Sequence, residues 1–378
     1  MLNETNNLFS NHLKIPTHTT ILNWIHKIGL YQLQKCKNKA NDWIIILDHS
    51  IQFGKEKVFV ILGIRKKDVD FSRPLQFQDL TPLREISDSE WTGEKIKNIL
   101  LGLKNEIGNI IYAIADQGSN IKNGLELAKI KHIRDITHMI AIILKRIYSK
   151  NETFIELTKM MNLTRISLRQ TELGHLIPPK QREKSRFENI KSISDWGIKI
   201  INYLKTIDII KDIKLQEKIK QKLTWIVKYK KIIYELYEIN QAISKVQEII
   251  KNNGLSKKTY KESLNVLQKL TFNNGKIIKE KIEEYFKETF ILINDNKTLC
   301  SSDIIESAFG KYKNYVSSNP MAGITNLILC IAAFTSDLNT EEVKKCMETT
   351  TINDVKSWSK EFIGKTLFQK RKECLGVT

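Results

Sequence analysis

The stretch that decides the fold is WIIILDHSIQFGKEKVFVILGI (43–64), joined further on by IIYAIAD (110–116). WIIILDHS (43–50) and KVFVILGI (57–64) are short runs of β-branched and other apolar residues, with the turn FGKEK (53–57) between them. Continuous apolar runs of this length predict strands buried on both faces, and the turn makes the first two a hairpin. Between the hairpin and the third run, Ile96, Ile99, Leu100, Leu103 and Ile107 recur at helical spacing. Hairpin, helix and strand in that order predict a mixed α/β sheet.

Working outward, GSNIKNGLELAK (118–129) continues as a helix whose start carries Gly118, Ser119 and Asn120, residues suited to capping orphan N–H groups. HIRDITH (132–138) reads as one more short strand, and a polar stretch precedes residue 91. Upstream, Ile21, Trp24, Ile25 and Ile28 predict one helix that Gly29 would stop. Four segments result: a helical segment over 1–40, an α/β region over 41–138, an all-helical block over 139–299, and a helical C-terminal part over 300–378.

The chain has 61 Lys and Arg against 42 Asp and Glu, a net +19, with a pI near 9.5. Residues 181–290 alone hold 24 basic against 14 acidic residues, so the positive charge concentrates in the helical block. Such an excess faces something anionic. Hydrophobic residues at 41% exclude disorder for most of the chain. No apolar run approaches the roughly 20 residues of a membrane helix, and MLNETNNLFSNHLK lacks the order of a signal peptide. A cytoplasmic protein without membrane contact is expected. Cys36, Cys300, Cys330, Cys346 and Cys374 form no CxxC pair and no zinc-ligand spacing, so free thiols are expected.

Chemistry concentrates at three carboxylates. Asp48 and Asp116 end apolar strands, and each is followed at once by polar or small residues. A carboxylate half in the core needs a partner, and a divalent cation suits several carboxylates at once. Alone, each Asp equally begins a turn or caps a helix. Glu306 lies in a helix opened by Ser301 and Ser302, where Ile305, Phe309, Tyr312 and Val316 make the buried face. Glu306, Gly310 and Lys313 form a separate stripe.

LDHSIQFGKEKVFVILG, IIYAIADQGSNIKNGL and SSDIIESAFGKYK resemble the three catalytic blocks of bacterial insertion-sequence transposases of the DDE class, over about residues 20 to 350. The resemblance implies an RNase H-like mixed sheet flanked by helices and interrupted by a large helical insertion domain. It also implies that Asp48, Asp116 and Glu306 are catalytic and ligate metal. Their spacings are 68 and 190 residues, and the second gap holds the basic helical block. Two Mg²⁺ or Mn²⁺ ions about 3.5–4 Å apart would then support cleavage and strand transfer. Lys313 resembles the lysine that follows the glutamate in this class, with Lys311 a weaker phosphate contact and His138 part of a recurring D-x-x-H.

The expected partner is double-stranded DNA, both element terminal inverted repeats and target, bound by a homodimer or larger synaptic assembly in the nucleoid. One departure is the short N-terminus. HTTILNWIHKIGLYQL (18–33) looks like the tail of a helix-turn-helix domain. Competing readings are a non-catalytic DNA-binding remnant or host-recruited transposase-derived protein, and a structure-specific nuclease on the same fold. His49 should point to the opposite side of its strand from Asp48. Trp196 and Trp225 read as core, and Lys228, Lys230 and Lys231 as a solvated face.

Overall fold

The computed structural model describes residues 15–53, 55–181, 187, 190–294, 296–316, 323–335 and 338–376. The first 14 residues of the expected N-terminal segment, and the expected break at 317–322 after the Glu306 helix, lie outside them. The chain divides into two compact units: one contains the chain up to Asp70, Pro74–Ile133 and the chain from Ser302, the other Phe71–Arg73 and Arg134–Ser301.

The first unit opens with α1 (His18–Gln34), whose Thr17 hydroxyl caps it by accepting from the Thr20 N–H. Then come β1 (Ala40–Phe53), β2 (Glu56–Arg65), β3 (Thr81–Asp88), α2 (Gly93–Ile107), β4 (Gly108–Ala115), α3 (Ser119–Leu127) and β5 (His132–Arg134). The sheet order is β3-β2-β1-β4-β5. β1 pairs antiparallel with β2 and parallel with β4, and β2 pairs antiparallel with β3, so the sheet is mixed.

Both faces of the central strands are buried. Ile45, Leu47, Phe59, Ile61, Ala113 and Ala115 face one core with Ile96, Leu100 and Leu103 of α2 and Leu125 of α3. Ile44, Ile46, Val58, Val60 and Ile114 take the other face and are fully buried too. That two-sided cover is why these strands read as continuous apolar runs rather than alternating ones. Each such side chain contributes roughly 1.5–3 kcal/mol by leaving water. α2 passes into β4 with no loop between them. Gly108 makes the corner at φ 93°, and a Cβ there would stand 2.3 Å from the Ala40 carbonyl oxygen.

Three readings are corrected here. β3 was missed because TPLREISD carries a proline and three charges in eight residues. As the edge strand next to β2 it tolerates Pro82, and its Glu85 is buried although charged in sequence. Gly29 does not stop the first helix, which runs on to Gln34. HIRDITH is strand only to Arg134; Asp135 then caps a new helix.

The second unit is helical: α4 (Ile136–Tyr148), α5 (Glu152–Leu168), α6 (Ile190–Lys205), α7 (Ile213–Leu223), α8 (Lys230–Asn253), α9 (Lys257–Leu267) and α10 (Asn273–Ile293). Its core includes Trp196, whose Nε1–H donates to the Leu176 carbonyl at 3.0 Å and whose ring stacks on Trp225 at 6.3 Å. Lys228 is exposed and pairs with Glu156 at 3.3 Å. The chain then returns to the first unit as α11 (Asp303–Val316), α12 (Leu329–Phe334), α13 (Thr340–Thr349), α14 (Ile352–Phe362) and α15 (Leu367–Cys374). α11 packs on β1, and α12 and α1 pack on β3. Among the described residues no helix is long and apolar enough to cross a membrane. All five cysteines are free thiols.

Glu85 is the odd residue of this core. It is 2% exposed, and neither carboxyl oxygen has a hydrogen-bond partner among the described residues. Burial pushes its pKa well above the carboxylate range, and the backbone of Ala332 offsets this only in part. Because the folded pKa is raised, stability is full below the unfolded value near 4.5 and is lost as pH rises toward the folded one. Glu85→Gln, which cannot ionise, is expected to be more stable than wild type at pH 8. The gain should grow above pH 4.5 by up to about 1.4 kcal/mol per pH unit, as urea unfolding at a series of pH values would record. An equal pH profile for the two proteins would contradict this.

Candidate active site

The parallel ladder between β1 and β4 places the first two carboxylates. Ile44 pairs with Tyr112, Ile45 with Ala113 and Ile46 with Ile114. Two residues further along each chain come Asp48 and Asp116, level with one another just past the last β1–β4 pair at the middle of the sheet; Asp116 follows the end of β4, whereas Asp48, read from sequence as ending its strand, lies inside β1, which runs on to Phe53 in its pairing with β2. Neighbouring strands run about 4.8 Å apart. Both aspartates are half-buried.

Asp116 is held by its own turn, its Oδ1 accepting from the Gly118 N–H at 2.9 Å just ahead of α3. The ring of His132, on β5, reaches the carbonyl of Ala115 at 3.4 Å, one residue before Asp116. The sequence reading did not single out His132, because nothing in HIRDITH says which strand it would lie beside.

Glu306 sits in the first turn of α11, half-buried, on the helix that packs against β1. Ile305, Phe309 and Tyr312 are buried at 0%, 2% and 1% exposure and seat the helix, while Gly310 and Lys313 are exposed. The side chain of Val316 lies outside the described residues. Lys311 lies over the rings of Phe77 at 4.1 Å and Phe334 at 5.5 Å. Its ammonium is therefore engaged in packing, which favours Lys313 as the more available cation of the two.

His138 belongs to the helical unit. Asp135, fully buried, accepts from the His138 backbone N–H at 2.8 Å to cap α4, and its Oδ1 also lies 3.3 Å from His138 Nδ1. The D-x-x-H spacing is thus the spacing of a helix cap whose carboxylate also orients the ring.

His49 extends the site on the other face of β1. Paired across the ladder with Phe59, its ring lies 4.7 Å from Phe59 and 4.8 Å from Trp91. Trp91 is fixed by its Nε1–H donating to the Lys57 carbonyl at 3.1 Å and by Asn120 donating to its own carbonyl at 2.7 Å. Neither ring nitrogen of His49 has a hydrogen-bond partner among the described residues. Burial lowers its pKa to about 4; the Asp116 charge pulls upward and Lys57 adds a smaller push down.

A neutral imidazole in an aromatic cage has a pH consequence. The folded pKa lies below the unfolded 6.5, so the unfolded chain binds the proton first. Stability is full above about pH 6.5 and falls as pH drops toward 4, by roughly 3 kcal/mol in all. His49→Phe, which keeps a ring in the cage, is expected to flatten that part of the profile. Urea midpoints at pH 7.5 and 5 decide it, and an unchanged slope in the variant would rule the histidine out as the cause.

Among the described residues no three His, Cys, Asp or Glu side chains stand as a group that could hold a metal ion. The donor chemistry of Asp48, Asp116 and Glu306 is nonetheless all hard oxygen, the kind that suits Mg²⁺ or Mn²⁺.

No family model and no curated protein sequence matches this chain. Among solved structures, the Drosophila P element transposase strand transfer complex aligns with a TM-score of 0.40 at 11% identity, over 91% of this chain and 90% of that one.

Proposed function

We propose that the chain is a DDE transposase that cuts and joins DNA at the ends of an insertion sequence, on an RNase H-like sheet interrupted by the basic helical unit. The observation that carries this is the β1–β4 register, which brings Asp48 and Asp116 level on neighbouring strands just past their last paired residues, with the helix bearing Glu306 packed on β1. The sequence blocks around the three carboxylates support the same reading.

Asp48, Asp116 and Glu306 would hold two Mg²⁺ or Mn²⁺ ions. Bound there, the ions supply activation of the attacking oxygen and stabilisation of the leaving 3′ oxygen. The strands would hold Asp48 and Asp116 in place without reorganisation, because Ile46 and Ile114, two residues before each, are paired in the ladder. Lys313 contacts a phosphate from the same helix face as Glu306. His138 contacts DNA from the helical unit, its ring oriented by Asp135. The positive charge of that unit grips duplex DNA through phosphates, independently of sequence. Two element ends have to be joined, which calls for a homodimer or larger synaptic complex acting on the nucleoid.

The test is a cleavage and strand-transfer assay on DNA carrying the element's own ends, with Mg²⁺ or Mn²⁺, with EDTA, and with Asp116→Ala. Metal-dependent nicking and joining, absent in the variant, is the expected result. Salt-sensitive binding with no product in wild type would replace this reading with that of a DNA-binding remnant.

A further inference from the structure

A cavity of about 950 Å³ in the first unit lies away from the three carboxylates, among α1, the turn before α12, α14 and the start of α15. Leu22 and Leu327 give it apolar wall, while Lys356, Lys360 and Lys365 supply three ammonium groups. None of its lining residues is Asp or Glu.

Lys365 is paired with Glu373 at 2.8 Å, but Lys356 and Lys360, one helical turn apart on α14, have no ion pair with a described residue. His26 completes the wall from α1. Its Nε2 is buried without a hydrogen-bond partner among the described residues, and burial keeps the ring's pKa below the usual value. A cavity this size is at the upper end of those that take small organic ligands.

We propose that this cavity binds a nucleotide, its base against Leu22, Leu327 and the aliphatic lysine stems, and its phosphate on Lys356 and Lys360. Three features together select that chemistry. An inorganic anion would leave the apolar wall unused, and an uncharged apolar molecule would leave two unpaired ammonium groups at its edge. A phosphate joined to a flat, weakly polar ring satisfies both, and the neutral His26 Nε2 can exchange a hydrogen bond with a ring atom or hydroxyl. The nucleotide is either free or the unpaired end of a DNA strand, since the recognising chemistry is the same.

The experiment is calorimetric titration of the full chain with deoxyadenosine 5′-monophosphate, with a 5′-phosphorylated eight-residue thymidine oligonucleotide, and with inorganic phosphate. Wild type is compared with Lys356→Glu/Lys360→Glu and with the cavity-filling Leu327→Trp, each checked for native circular dichroism. The expected result is saturable mononucleotide binding, tighter than that of phosphate and weakened at least ~10-fold in both variants. Oligonucleotide binding that the mononucleotide displaces would assign the site to a strand end, and mononucleotide binding alone would assign it to a free ligand. The proposal is overturned if phosphate binds as tightly as the mononucleotide, if neither probe saturates, or if the variants bind as wild type does. Asp116→Asn retains mononucleotide binding on this account, so failure here and failure of the transposase reading are separable.

Discussion

Asp116→Asn is expected to lower metal-dependent DNA cleavage by about 10³-fold or more, a loss of roughly 4 kcal/mol of transition-state stabilisation, while leaving duplex binding unchanged. The substitution is nearly isosteric, and the Asn side-chain oxygen can still accept from the Gly118 N–H, so the turn that Asp116 holds survives. What disappears is the charge. Asp48→Asn should behave alike, because the ladder brings the two residues level on neighbouring strands.

Asp42 makes the control. It lies on the same strand but near its other end, where it pairs with Arg65 and accepts from the Lys67 N–H at 3.3 Å. Arg65 and Lys67 hold its carboxyl below the usual range against a contrary push from burial. Asp42→Asn should cost some stability and leave cleavage within about threefold of wild type. The measurement is single-turnover cleavage of end-bearing DNA. Full activity in both Asp116→Asn and Asp48→Asn would end the catalytic assignment, and equal losses in all three variants would point to a general folding defect.

The central hairpin and β4 were legible because strands covered on both faces spell continuous apolar runs. Ile44 to Leu47 and Val58 to Leu62 have every side chain buried, so no alternation was needed to see them. β3 was illegible for the converse reason. As an edge strand it bears Pro82, Arg84 and Glu85, and it is recognised only through its pairing with β2, which no local window contains. Of the candidate site, residue types and chain order were readable. Register was not: that Asp48 and Asp116 lie level depends on which residues pair between two strands whose partners are 68 residues apart. The separation of Lys311 from Lys313 was also invisible, since it depends on Phe77 and Phe334, distant in sequence from both.

Gly29 carries the same lesson and the second large effect. In isolation a glycine after Ile25 and Ile28 ends a helix, because it gives up helical propensity and favours the left-handed cap. The helix nevertheless continues for five residues, and Gly29 is buried within it. The reason is a close approach. A Cβ at position 29 would stand 2.0 Å from the Leu329 carbonyl oxygen and 2.8 Å from its carbonyl carbon.

Backbone cannot swing aside as the tip of a side chain can, so α1 and α12 would have to separate over their whole contact. Gly29→Ala is therefore expected to destabilise the first unit by about 3–5 kcal/mol, lowering its melting temperature by roughly 10 °C. Gly102, inside α2, is the matched comparison, for a Cβ there meets nothing within 4 Å. Gly102→Ala should stabilise by about 0.5–1 kcal/mol through helix propensity alone. One chemical change, made in two helices of one unit, should thus move stability in opposite directions. Equal shifts from the two substitutions would mean that propensity rather than the α1–α12 contact decides what a glycine does here.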